Sequence, residues 1–249
     1  MGTQRTWLAD LMAAVGAIAL SRDPLKQWVS RWGADDEEVT AVLPGDELVA
    51  TGAQRTTRAL TIDAPVEMVW PWLAQMGEDR GGFYSYSWLE KAAGADIHNA
   101  ETIHSEWQNF RVGDTVWLAH RYGERARQVV AAVKPKSHLV LMSPDDFRRV
   151  QRGEKAFGAW TFCLRGHIGW TRLIVRGSGG AVGRSSFDIL HFVMEQKMMR
   201  GIRDRAEQAR RERTTEFIRE EYQSIQHEEL PEPGANHHPR QVIDQFGAT

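Results

Sequence analysis

Cysteine is almost missing from this chain: Cys163 is the one thiol in 249 residues. A lone thiol forms no intrachain disulfide and cannot build a thiolate zinc site, so a reducing compartment, the cytoplasm, is the expected setting. An excess of either charge is missing too, with 31 basic against 33 acidic side chains and a formal charge of -2. That removes the positive footprint a duplex would demand, and no nucleic-acid partner is expected. Long apolar runs are also lacking. The longest candidate, WLADLMAAVGAIAL at residues 7–20, is interrupted by Asp10 and falls short of the roughly 18 apolar residues that cross a bilayer. It reads as an amphipathic or buried helix without stable membrane insertion, a membrane-surface or signal-like segment being the alternative.

Cofactor motifs fail in the same way. The GEDRGG loop lacks the Gly-Lys-Ser/Thr ending of a phosphate loop and follows no strand. GSGGAVG, residues 177–183, follows an antiparallel strand candidate and lacks the strand-helix-strand setting of a dinucleotide site, so it reads as a flexible joint. No Gly-x-Ser-x-Gly elbow marks a serine hydrolase. The HNAETIH stretch sets His98, Glu101 and His104 within seven residues, but helical spacing turns His104 away from the other two. No metal or nucleotide cofactor is expected.

What the chain does have is apolar mass, 42% hydrophobic residues with ten tryptophans scattered from Trp7 to Trp170, enough for a large aromatic-lined interior. Three regions are expected. Residues 1–33 form an N-terminal helical extension, residues 34–210 the main domain, and residues 211–249 a charged helix and polar tail. In RTTRALTIDAP, Thr57, Ala59 and Thr61 oppose Arg58, Leu60 and Ile62 at the period of a strand. A helix then starts at Pro65, buries Val66, Val69, Trp70 and Leu73, and ends at Gly77. A second helix is expected over Tyr84–Ala93, then a long irregular segment of the kind that often carries function. Strand candidates follow at 114–120, 126–133, 138–143, 156–166 and 170–177, with short turns between most of them, the pattern of an antiparallel meander. A long helix from about Ser186 places Ile189, Phe192, Val193, Gln196, Met199 and Ile202 on one face. This order predicts an α+β fold in which the final helix, carrying Met194, Met198 and Met199, covers a curved sheet.

The phrases IDAPVEMVWPWLAQMG, RGGFYSYSWLEKAAGADIHNAETIHSEWQNFRVGDTVWL, GAWTFCL and FDILHFVMEQKMMRGIRDRAE, within roughly residues 33–210, resemble the START-like or helix-grip superfamily, often labelled SRPBCC or polyketide cyclase/dehydrase. The resemblance implies a helix-grip fold: a curved antiparallel sheet wrapped on a long C-terminal helix around a deep hydrophobic cavity. Relatives use that cavity for lipids, sterols, plant hormones and aromatic polyketides. Six strands are counted here where the full grip has seven.

The leading expectation is a protein that binds a hydrophobic or aromatic small molecule, lipid- or polyketide-like, in this cavity. Expected wall residues are Tyr84, Trp88, Trp117, His120, Trp160, His191, Phe192 and Met199, because aromatic and methionine side chains join apolar area to adaptable shape. Of the crowded aromatics, Tyr84 and Trp88 are expected to share one helix face and Phe83 and Tyr86 another, one pair toward the ligand. The alternative is a cyclase, aromatase or dehydratase working without cofactor. Its acid and base groups would come from Asp96, His98, Glu101 and His104, with Arg80 as an oxyanion partner. A third reading has the charged helix beyond residue 210 dock a partner or form a homodimer.

Overall fold

The computed structural model describes residues 23–85, 98–180, 182 and 185–228. The helix read near residues 7–20, most of the helix expected over Tyr84–Ala93, and the tail after 228 lie outside them. The chain divides into two compact units at Arg210 and Arg211. The first unit holds the sheet, and its elements position the site.

Six strands form one curved, unclosed antiparallel sheet. They are β1 (Arg55–Ile62), β2 (Thr115–Trp117), β3 (Arg127–Lys134), β4 (His138–Met142), β5 (Gly158–Gly166) and β6 (Thr171–Gly179). The spatial order is β1-β6-β5-β4-β3-β2. The last five strands are thus a meander, and β1 joins it beside β6. Residues 63–114 carry the chain from one edge of the sheet to the other. The helices are α1 (Asp23–Arg31), α2 (Asp36–Thr40), α3 (Val66–Ala74), α4 (Pro144–Gln151) and α5 (Ser185–Glu228). This sheet with a long C-terminal helix is a helix-grip fold, as the element order predicts.

Alternation along the strands separates two faces. Leu60, Ile62, Leu139, Leu141, Phe162, Leu173 and Val175 belong to the main core, where they join Trp70, Trp72 and Leu73 of α3 and Met198, Met199, Ile202 and Ala206 of α5. On the opposite face Ala59, Cys163 and Ile174 pack with Leu43. Arg176, fully buried there, donates to Thr57 Oγ1 at 3.0 Å, to Asp46 Oδ2 at 2.5 Å and to the carbonyls of Glu38, Val39 and Ala41. One guanidinium therefore clamps the segment 38–46 onto the outside of the sheet. α2 is held at its start by a capping box between Asp35 and Glu38.

Before β1, Trp32 accepts from the Ala59 amide at 3.0 Å, and Val29 packs with Phe192. Three features depart from the sequence expectation. β2 ends at Trp117 instead of residue 120, because the Glu78 carboxylate takes the His120 amide and the chain turns through 3-10 geometry over His120–Ala126. α4 was not expected. Ser143 caps it by accepting from the Asp146 amide, Pro144 occupies the first turn and two acidic residues follow, a legible helix start. Tyr84 does not open a helix, since its φ is 55°.

Candidate functional site

Between the inner face of the sheet and α5 lies a cavity of about 420 Å³. Its size is within the range of small-molecule sites. α5 contributes His191, Met194, Glu195 and Met198; the sheet contributes Gln128, Trp160 and the backbone around Gly177. Phe83 and Ser85 close one side, while Leu118, Ala119 and Tyr122 supply the wall beyond β2. Gly177 leaves room at the sheet surface, for a Cβ there would sit 3.0 Å from Thr56 Oγ1 and 3.4 Å from Val182 Cγ2.

The polar part of this wall is a buried network. Glu195 is only 2% exposed, although it sits one helical turn from Phe192 on the buried face of α5. Its Oε1 accepts from Arg58 Nη1 at 2.7 Å, and its Oε2 accepts from the Trp160 indole N–H at 2.8 Å. Arg58, fully buried on β1, also donates from Nε to the Val29 carbonyl at 2.8 Å and stacks its guanidinium 5.1 Å from the centre of the Phe192 ring. His191 places Nδ1 3.5 Å from Arg58 Nη1 and Nε2 3.7 Å from Glu195 Oε2. A buried carboxylate is tolerated only beside such partners, and each group here orients the next. The second acidic group of the wall, Asp146, is also committed: Oδ2 accepts from Ser143 Oγ at 2.8 Å and Oδ1 from the Phe157 amide at 2.7 Å.

The residues singled out from the sequence fall into three sets. Trp160 and His191 line the cavity. Tyr84, Trp117, His120, Phe192 and Met199 do not line it. Tyr84 is buried in the core, where its hydroxyl donates to the Trp72 carbonyl at 3.1 Å and its ring lies edge-on to Trp72; burial holds its phenol well above the usual range. Trp117 and His120 stack on each other 4.2 Å apart, Phe192 packs with Val29, and Met199 is core. Of the aromatic cluster, Phe83 faces the cavity and Tyr84 the supporting core, while Tyr86, Trp88 and Asp96 lie outside the described residues.

The segment 98–104 and Arg80 are placed apart from the cavity lining. His98 is exposed, and Glu101 pairs with Arg205 at 2.6 Å. His104 pairs with Glu106 at 3.3 Å and stacks 4.2 Å from Trp107. Arg80 lies 4.3 Å over the Phe110 ring and donates to the Trp107 carbonyl at 3.4 Å. Among the described residues no group of three or more His, Cys, Asp or Glu is arranged to hold a metal ion, and no helix is long and apolar enough to cross a membrane.

Arg58, Glu195 and Gln128 are among the residues of the network and wall that were not foreseen. A signal existed for Glu195. A charged residue at the third position after Phe192, with Met198 and Met199 three and four further on, stands where a helix buries its face. The face was instead traced through Gln196, which is only half-buried.

No family model matches the chain, and no curated protein matches it. Solved structures do show likeness. Protein NE0264 from Nitrosomonas europaea is 12% identical, covering 67% of this chain and 99% of that one at a TM-score of 0.43. The Polyketide_cyc-like protein Cgl2372 from Corynebacterium glutamicum is 15% identical, covering 63% and 82% at a TM-score of 0.31. CalU16 from Micromonospora echinospora is 14% identical, covering 62% and 85% at a TM-score of 0.30. Likeness at this level transfers neither ligand nor reaction; the helix-grip class rests on the strand order and the covering helix of this chain.

Proposed function

We propose that this protein binds a hydrophobic or aromatic small molecule, lipid- or polyketide-like, in the cavity between its sheet and α5. The observation that carries the reading is an apolar space of about 420 Å³ whose methionines and aromatic rings surround one internally neutralised polar network. Binding gains from every apolar surface removed from water there, at roughly 25 cal/mol per Å² before the cost of ordering the ligand. The test is titration with the neutral dye Nile red, comparing the native protein with Met194→Trp, which fills the cavity from α5. Saturable binding that weakens at least tenfold in the variant, with melting unchanged, supports the reading. Equal binding in the two proteins contradicts it.

An enzyme of the cyclase, aromatase or dehydratase type is the second reading, and His191 favours it. This imidazole lines the cavity with a carboxylate behind it, an arrangement that can orient a ring for proton transfer. His191→Gln is then expected to keep Nile red binding within twofold and lose turnover of a polyketide-like substrate. Turnover retained in the variant removes this reading.

A homodimer through the second unit is part of the proposal. Phe217, Ile218, Tyr222 and Ile225 are all exposed, and the steps of four and three from Ile218 to Tyr222 to Ile225 match the seam of a two-stranded coil, so a second copy of this helix is the fitting occupant. Truncation after Arg210 is expected to convert a dimer to a monomer by solution mass; an unchanged mass contradicts it.

A further inference from the structure

The cavity wall carries two acids that already hold partners and a carboxamide that does not. Glu195 is held by Arg58 and Trp160, and Asp146 by Ser143 and Phe157. Gln128 differs. It stands on β3 opposite Val116, on the inward side of the sheet, and lines the cavity with a side chain that makes no hydrogen bond to any protein group among the described residues. A carboxamide left so offers one acceptor oxygen and two donor hydrogens, and it serves a ligand carbonyl or hydroxyl equally well. Uncompensated charge is a different matter. A ligand carboxylate or ammonium would leave water for a wall whose acids, Glu195 and Asp146, already hold partners, while the buried Arg58 Nη2, which has no hydrogen-bond partner among the described residues, does not line the cavity; burying an unpaired ion costs far more than burying a hydroxyl or ketone.

We infer that the cavity selects uncharged hydrophobic molecules bearing a carbonyl or hydroxyl group, and that Gln128 is the residue that reads this group. This deepens the proposed function and rests on it. The ligand class excludes free fatty acids and aromatic acids as preferred occupants, and it includes ketones, phenols and alcohols on an apolar frame. Gln128 acts as a specificity residue by direct contact, while Arg58 and Glu195 stay engaged with each other.

A matched series on one ring system tests the inference: 2-acetonaphthone, 2-naphthol, 2-ethylnaphthalene and 2-naphthoate, each competed against Nile red at neutral pH, with the native protein and with Gln128→Leu. In the native protein the ketone and the naphthol are expected to bind at least tenfold tighter than the naphthoate. Gln128→Leu is expected to weaken the ketone about 3- to 10-fold, the worth of one hydrogen bond, and to leave 2-ethylnaphthalene within twofold. The inference is overturned if naphthoate binds as tightly as the ketone, or if the variant weakens ketone and hydrocarbon alike, which marks a structural role. If neither Nile red nor any of the four compounds binds the native protein, the cavity reading itself fails and takes the inference with it; binding of dye and hydrocarbon without discrimination defeats the inference alone.

Discussion

Glu195 and Arg58 stand 137 positions apart in the chain and 2.7 Å apart in the fold, both withdrawn from water. Removing one partner leaves the other as a buried, uncompensated charge, which typically costs about 3–5 kcal/mol, whereas replacing both with apolar groups costs far less. Arg58→Met is therefore expected to destabilise the protein by about 3–5 kcal/mol in urea unfolding, and Arg58→Met with Glu195→Leu to recover more than half of that loss. A double variant as unstable as the single would show that the pair is not what Arg58 supports. Glu38 gives a pH-dependent counterpart on the other face of the sheet. Burial by itself would raise its carboxyl, but the hydrogen bonds from Arg172 and the Asp35 amide, with the Arg172 charge, outweigh burial and hold it below the usual carboxylate range. A carboxyl depressed on folding contributes stability that is complete above its unfolded value and is lost as pH falls through the folded one. Glu38→Gln should thus flatten the acid side of the stability curve; an unchanged acid slope would assign that slope to other groups. None of these pairs could be read from sequence, because a charge pair between a strand and a helix depends on a register that spacing along the chain does not contain.

The contact between α5 and the segment that follows α3 is controlled by the absence of a side chain. A Cβ at Gly201 would sit 2.4 Å from the Tyr84 carbonyl oxygen and 2.6 Å from its Cβ. Alanine is the better helix residue by about 1 kcal/mol, yet the backbone on the other side cannot swing away as a flexible side chain would. Gly201→Ala is expected to lower stability by about 1–3 kcal/mol, as overpacking does, and to raise exchange of the Tyr84 amide, which now donates to Asn99 Oδ1 at 2.5 Å. A more stable Gly201→Ala protein would contradict the close approach. At this scale much was legible. Period-two alternation located β1, segments set off by short turns located the other five strands, and helical spacing located α3 and α5. The failures have physical causes. α4 is short and its core-facing residues are few, so its cap went unread. β2 was overextended because Leu118 and Ala119 keep an apolar pattern after the ladder has stopped, and only the Glu78 carboxylate, distant in sequence, explains the turn.

For the molecule as a whole, the sheet and α5 supply a container, and the chemistry is decided by which side chains reach its interior. The container was visible in the order of elements; its contents were not. Trp160 and His191, which line the cavity, were singled out because aromatic and imidazole groups draw notice, whereas Gln128 carries no signal until the inward parity of β3 is known. Tyr84 was misplaced for a related reason, since a left-handed φ at that position turns it into the core instead of along a helix. The most direct test of the cavity as the functional site is an NMR titration with 2-acetonaphthone, following the Trp160 indole N–H, the Gln128 carboxamide and the Met194 and Met198 methyl groups. Saturable shifts at these four groups, with the methyls and rings near Phe217 and Ile225 unmoved, are the expected result. Saturable shifts confined to the exposed stripe of the second unit or to the segment 98–104, or no shifts at all, would contradict it.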